Sequence, residues 1–302
     1  MRIIITGGSG LIGRALTADL ALDNHEVIIL SRRPERVIDL PNSAIAEWWD
    51  GYSSKGWGPL VDNADAVVNL AGENLGSGRW TRKRKHDILE SRLNAGRAVA
   101  KAVEAARHKP QVVIQASAVG YYGSCGDEEV TEDAAPGCGF LARTAIEWEN
   151  STTPVEAMGV RRVIIRTGVV LSIAGGALAR MLLPYRLFAI RRLANGKQWL
   201  PWIHITDEVN AIRFLMENEK ARGVFNLTDP NPATNAEFSF QLEKRLRRPA
   251  LVPIPKSGLS LFLGEMATAL IDGQRAIPKR LLQLGFTFRF TGINLALKDL
   301  LG

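Results

Sequence analysis

Along the first two-thirds of the chain, short apolar runs alternate with longer stretches in which apolar residues recur at helical spacing. Arg2–Thr6, Glu26–Leu30, Ala44–Trp48, Ala66–Leu70, Val112–Ala116 and Arg162–Arg166 each read as a strand. Several of these runs are apolar at consecutive rather than alternate positions, the pattern of a parallel strand covered on both faces. Gly10–Leu22 and Asp87–Arg107 read as helices, and in the second Ile88, Leu89, Leu93, Val99 and Val103 fall broadly on one side. Such alternation of β and α predicts an α/β fold, a doubly wound parallel sheet with right-handed crossovers.

The later pattern is less regular. Leu178 to Leu193 is apolar but interrupted by Arg180, Arg186, Arg191 and Arg192, which predicts an amphipathic helix lying on a pocket or a partner. Asp207–Glu217 reads as a helix with an acid near its N-terminus, and Val224–Leu227 as a strand. Thr234-Asn-Ala-Glu237 fits a capping box before a helix reaching about Arg247. After Pro249, Pro253 and Pro255, the stretch from Leu251 to Gly302 reads as a smaller, mostly helical C-terminal lobe. The expected organisation is a dinucleotide-binding domain over residues 1–230, with substrate-lobe segments from about 172, and a helical lobe over 231–302 closing the cleft.

Composition narrows the picture. The chain has 302 residues, 46% of them hydrophobic and 23% charged, ample for a large core. The net charge of +7 raises nucleic acid as a partner. The basic residues are nevertheless spread along the chain, with only short clusters at Arg82–Lys85 and Arg245–Arg248, and no nucleic-acid motif accompanies them. Solvated helix faces and a multiply charged phosphate ligand account for the excess. Cys125 and Cys138 form neither a CxxC nor a metal-ligand spacing, so the expectation is a reduced, cytoplasmic protein with no metal site. No run of about 18 apolar residues and no secretory signal pattern is seen, so no membrane partner is expected.

The sharpest motif is Thr6-Gly7-Gly8-Ser9-Gly10-Leu11-Ile12-Gly13, between a strand and a helix. Gly7 permits a tight turn, Gly10 lets the backbone approach a pyrophosphate, and Gly13 allows close helix packing. The helix N-terminus then offers free N–H groups to the phosphates. Which dinucleotide is held is decided at the end of the second strand, Leu30-Ser31-Arg32-Arg33. An NAD site places a carboxylate there for the ribose 2′-OH; a hydroxyl and two guanidiniums suit the 2′-phosphate of NADP(H).

These motifs, with Asn69-Leu-Ala-Gly72, Ser117-Ala-Val-Gly-Tyr-Tyr-Gly123, Arg166-Thr-Gly-Val-Val-Leu171 and Trp202-Ile-His-Ile-Thr-Asp207, resemble the extended and atypical short-chain dehydrogenase/reductases. The resemblance extends to the YfcH-like epimerase family proteins through Glu73, Arg79-Trp-Thr81, Ser91-Arg92 and Trp148-Glu149. Gly264-Glu265-Met266, Gly273-Gln274-Arg275 and Pro278-Lys279-Arg280 are similar to that group's appended C-terminal domain. It spans nearly the whole chain and implies a Rossmann sheet. By resemblance, Gly7, Ser9, Gly10, Leu11, Ile12 and Gly13 hold the pyrophosphate, and Ser31 and Arg32 face the adenosine ribose. Leu70, Ala71 and Gly72 pass beside the adenosine, and Thr167, Gly168 and Val169 approach the nicotinamide.

The resemblance also implies a catalytic serine, with a Tyr and a Lys four residues apart that move the proton as hydride transfers. Ser117 stands at the serine position. Phe140 and Thr144 occupy the dyad positions and supply neither group, and Arg143 cannot act as a base near neutrality. Tyr121 and Tyr122 offer replacement hydroxyls, although each can equally pack its ring. Ser117, Tyr121 and Glu73 are the catalytic candidates. His204 is read as a structural histidine, and Gln274, Arg275 and Lys279 as residues that close the site or are simply solvated. Two functions follow: an NADP(H)-dependent oxidoreductase or epimerase acting on a small polar or nucleotide-linked substrate, or a non-catalytic NADP(H)-binding regulatory protein, as for relatives described as division factors. Either form allows an oligomer.

Overall fold

The structure, a computed structural model, describes residues 1–186, 194–247 and 264–302, together with 255, 257, 258 and 261. Seven parallel strands form the central sheet: β1 (Arg2–Thr6), β2 (Glu26–Ser31), β3 (Ala44–Trp48), β4 (Ala66–Asn69), β5 (Val112–Ala118), β6 (Arg161–Thr167) and β7 (Gly223–Leu227). Their order is β7-β6-β5-β4-β1-β2-β3, so the winding reverses between β1 and β4. Ligands of such open sheets bind beyond the carboxyl ends at that reversal.

The continuous apolar runs have their reason in this sheet. Ile3 and Ile5 of β1 face α1 (Leu11–Leu22) and one buried cluster, whereas Ile4 faces the opposite cluster with α2 (Arg82–Ala105). All three are fully buried, so neither side of the strand tolerates a polar residue. The sequence places the start of α2 at Asp87, five residues late. The Arg82–His86 stretch is polar, but Thr81 caps it by accepting from the Arg84 N–H at 3.2 Å, and the helix begins there.

Of the remaining long helices, α3 (Phe140–Asn150) packs with α2, α5 (Ile205–Glu217) packs with α1, and α4 (Gly176–Arg186), α6 (Asn235–Leu246) and α7 (Ile293–Leu301) share a cluster of their own. The expected amphipathic helix over Leu178–Leu193 begins earlier, at Gly176, and its part beyond Arg186 lies outside the described residues. The capping box at Thr234 holds, its hydroxyl accepting from the Glu237 N–H at 3.2 Å. The segment 251–263 falls mostly outside the described residues. Beyond it the C-terminal part is helical, and α7 packs with α4 and α6 through Ile293, Leu297, Leu178 and Phe238.

Two acids tether this part to the sheet domain. Asp207 accepts from the Arg289 and Phe290 N–H groups at 2.7 and 2.9 Å, and Asp229 accepts from the Gly292 N–H at 3.3 Å. Burial pushes the Asp229 carboxyl up to about 7 despite those bonds. Both cysteines are free.

Candidate functional site

The turn after β1 is built by contacts a side chain would destroy. Gly7 has φ +69°, and a β-carbon there would lie 2.8 Å from the Leu70 carbonyl carbon, so the loop is pressed onto the end of β4. A β-carbon at Gly13 would meet the Gly8 Cα at 2.5 Å. Gly13 therefore brings α1 onto its own preceding loop rather than simply onto the sheet. Gly8, which has no assigned part in the glycine motif, sits where a β-carbon would be 2.6 Å from Ile29. A buried ladder sets the strand ends: Thr6 Oγ1 donates to Asn69 Oδ1 at 2.6 Å, and Asn69 Nδ2 to Gln115 Oε1 at 2.8 Å.

Above this turn opens a cleft of about 360 Å³, lined by Gly7, Gly10, Leu11, Ile12, Gly13 and Leu70 on one side and by Gly168, Val169, Val170, Gly176 and Ala177 on the other. The N-cap of α1 is Gly10, with no capping side chain and no acid in the first turn. The helix N-terminus thus keeps its free N–H groups and positive potential for an anion. Ser9, Ala71, Gly72 and Thr167 adjoin the lining residues in the chain without lining this cleft themselves.

At the end of β2, the buried Ser31 accepts from the Arg33 N–H at 3.1 Å, which shapes the turn. The Arg32 side chain is 72% exposed, with Nη1 3.9 Å from Glu73 Oε1. The other Glu73 oxygen accepts from Arg84 Nη1 at 3.0 Å. Glu73 is thereby held between two guanidiniums on the β2 side of the cleft, and its position suits orienting Arg32. Its own N–H is fixed by Ser91 Oγ at 3.0 Å, and its carbonyl accepts from the buried Arg92.

Ser117, at the end of β5, belongs to a different environment. Its hydroxyl donates to Glu149 Oε1 at 2.6 Å. Glu149, on α3, also receives two parallel bonds from Arg166 of β6, at 2.8 and 3.0 Å. Arg166 donates further to the Tyr122 hydroxyl at 3.1 Å, and that hydroxyl donates to Asn226 of β7 at 2.7 Å. The guanidinium lies 3.3 Å from the Tyr121 ring centre. Burial works against the Arg166 charge, but the Glu149 and Tyr122 contacts outweigh it and hold its pKa above the ordinary value. Burial pushes the Tyr122 hydroxyl up to about 12. The residues brought together are Ser117, Tyr121, Tyr122, Glu149, Arg166 and Asn226. Of these, the sequence singles out only Ser117 and Tyr121, with Tyr122 as an alternative; Glu149 and Arg166 stand in the motifs Trp148-Glu149 and Arg166–Leu171 with no role assigned to them.

Phe140 stands edge-on to Trp80 with 5.3 Å between centres, and Lys85 Nζ lies 5.7 Å from its ring centre. Thr144 is buried, so the register of the usual dyad carries packing. Behind the Thr167-Gly168-Val169 edge lies Glu208, fully buried on α5, accepting from Thr167 Oγ1 at 2.8 Å. Its second oxygen has no hydrogen-bond partner, and burial raises its pKa to about 8. No sequence signal distinguished this acid from Asp207 beside it.

His204 is structural in its contacts: Nδ1 accepts from the Thr206 N–H at 3.1 Å as the cap of α5, and the ring stacks on Phe290 with centres 3.9 Å apart. Nε2 then carries the proton and points to Asp299 Oδ2 at 3.3 Å, while burial as the leading cause lowers the histidine's pKa. Gln274 Nε2 donates to the Gly123 carbonyl at 2.5 Å, and Arg275 pairs with Glu129 at 2.9 Å. Lys279 lies 3.9 Å from Asp133. All three face the strand β5–α3 connection rather than the cleft lining.

Comparison with known proteins adds an independent line. The family model described as "NAD dependent epimerase/dehydratase family" matches residues 3–228, and one described as "Domain of unknown function (DUF1731)" matches residues 254–300. The "Epimerase family protein YfhF" of Bacillus subtilis is 40% identical over 304 residues, covering 100% of this chain and 98% of that protein. Among solved structures, human epimerase family protein SDR39U1 (isoform2) with NADPH superposes with a TM-score of 0.87 at 33% identity, covering 99% of each chain. The nucleoside-diphosphate sugar epimerase of Corynebacterium glutamicum gives a TM-score of 0.80 at 34% identity, over 100% of this chain and 58% of that longer one. Thermus thermophilus UDP-glucose 4-epimerase in complex with NAD, at 18% identity over 100% and 99% of the two chains and a TM-score of 0.78, shares the fold.

Proposed function

The chain belongs to the NAD dependent epimerase/dehydratase family, and from that premise we propose that it is an NADP(H)-dependent oxidoreductase or epimerase acting on a small polar or nucleotide-linked substrate. The observation that carries this reading is the end of β2, where Ser31 and the exposed Arg32 stand and a carboxylate does not. A guanidinium there binds a 2′-phosphate by charge-assisted bonds, and Glu73, shared with Arg84, sets its direction. The human relative described as bound to NADPH agrees with that choice.

The residues fit a dinucleotide. Gly7, Ser9, Gly10, Leu11, Ile12 and Gly13 would hold the pyrophosphate on the N-terminus of α1. Leu70, Ala71 and Gly72 would flank the adenosine half, and Thr167, Gly168 and Val169 the nicotinamide half. When bound, the cofactor supplies the hydride chemistry. The chain's own part is to orient the substrate and handle one proton. Tyr121 is the preferred donor, because its ring is held against the Arg166 guanidinium while, unlike the buried Tyr122, it stays partly exposed. Ser117 would orient the substrate through a hydroxyl already aligned by Glu149.

A second reading has its own observation. Phe140 and Thr144 fill the dyad register and Ser117 spends its proton on Glu149, an arrangement also suited to an NADP(H)-binding regulatory protein without turnover. NADPH oxidation, followed by absorbance against sugar nucleotides and small carbonyl compounds, separates the two. Turnover that falls at least about a hundredfold in Tyr121→Phe supports the enzyme, by analogy with loss of a general acid. Tight NADPH binding with no turnover across the panel supports the regulatory protein, and failure to bind NADPH contradicts both.

A further inference from the structure

A second cavity, of about 290 Å³, shares no lining residue with the dinucleotide cleft. It opens between the loop that follows β3 and the middle of α2. Lys55 and Ser54 line it from the loop, and Asn94, Arg97, Ala98 and Lys101 from one stripe of the helix, at i, i+3, i+4 and i+7. No carboxylate lines it.

The charges here are arranged unlike those of Lys83, Arg84 and Lys85 near the start of the same helix. Lys83, Arg84 and Lys85 each contact a carboxylate, of Asp87, Glu73 and Glu265 respectively. Arg97 and Lys101 contact none among the described residues, although like charges four residues apart repel on a helix. The loop's own acid, Asp50, is engaged within the loop: it accepts from the Tyr52 and Ser53 N–H groups at 2.9 and 2.8 Å and interacts electrostatically with Lys55.

The loop is also braced before any ligand arrives. The Trp49 and Trp57 indole N–H groups both donate to the Ser53 carbonyl, at 2.7 and 2.8 Å, and their rings are buried in the cluster that holds Ala95 and Ala98. A rigid wall and a rigid helix facing each other reduce the ordering cost of binding.

We propose that this pocket binds a small multivalent anion of the di- or polyphosphate class, one per chain, at a site separate from the dinucleotide cleft. Three cations with hydroxyl and amide donors match several phosphate oxygens at once, and the bounded volume fits a compact anion better than a polynucleotide strand.

The test is calorimetric titration of the full chain with inorganic pyrophosphate in phosphate-free, low-salt buffer, beside Arg97→Ala/Lys101→Ala and Lys101→Glu. The expected result is saturable one-to-one binding that weakens at least about tenfold in the double variant, as loss of charge-assisted bonds requires. Lys101→Glu should weaken it as well, and both variants should melt as the native protein does, because both side chains are exposed. Absence of saturable binding overturns the proposal. So does equal affinity in native and variant proteins, which would place the anion elsewhere, the dinucleotide cleft included.

Discussion

The glycine turn and the Arg166–Glu149 cluster both sit at the carboxyl ends of the strands, yet they are made in opposite ways. The turn is contiguous in the chain, mostly backbone, and open to a cleft of about 360 Å³. The cluster draws one or two side chains each from β5, the loop after it, α3, β6 and β7, and closes all but the half-buried Tyr121 away from water. The first is organised to receive charge from outside. The second has already balanced its charge within the protein. Removing a residue from the turn region should therefore cost binding, and removing one from the cluster should cost stability.

The largest expected effect breaks the cluster. Arg166→Ala leaves Glu149 buried without its partner and should cost roughly 3–5 kcal/mol of stability, read from chemical denaturation. Arg32→Ala, at an exposed side chain, should leave the same curve unchanged within about 0.5 kcal/mol. Equal losses in the two variants would dissolve the contrast.

Next in size is a pH effect at Glu208, which lies behind the cleft but is buried like the cluster. Its folded pKa is raised from 4.5 to about 8, so the folded state holds a proton that the unfolded chain releases. That contribution to stability is fully present below pH 4.5 and is lost as pH rises through about 8. Across that window native protein should lose about 1.4 kcal/mol per pH unit relative to Glu208→Gln. Parallel stability profiles of the two proteins would show the acid ionised throughout.

Smaller still is Tyr122→Phe, which removes the hydroxyl between Arg166 and Asn226 while keeping the ring. A loss of about 1–3 kcal/mol in denaturation is expected, with the affinity for dinucleotide unchanged. A change in dinucleotide affinity larger than the change in stability would join the cluster to the cleft.

The same contrast explains what could be read from the sequence. The strands of the sheet and the turn Gly7–Gly13 are local patterns, and apolar runs bounded by glycine specify them without knowledge of the rest of the chain. Ser31-Arg32 is legible for the same reason, being fixed by its place at a strand end. Glu149 and Arg166 are 17 residues apart, Thr6 and Asn69 are 63 apart, and Tyr122 and Asn226 are 104 apart. No periodicity relates such pairs, and a buried charge is indistinguishable in sequence from an exposed one until the fold supplies its partner. Glu208 illustrates the limit: adjacent acids at 207 and 208 take different roles, one bonding backbone N–H groups of the C-terminal segment and the other buried beside Thr167. The early start of α2 was hidden because a charged first turn resembles a loop unless Thr81 is recognised as its cap.

If the end of β2 chooses the dinucleotide, exchanging the charge there must change the choice. NADPH and NADH would be titrated calorimetrically against native protein and Arg32→Asp. Native protein is expected to prefer NADPH by at least about tenfold, as one charge-assisted phosphate contact provides, and the variant to lose that preference or reverse it toward NADH. Equal affinity for the two dinucleotides in native protein, or a preference untouched by Arg32→Asp, would contradict it.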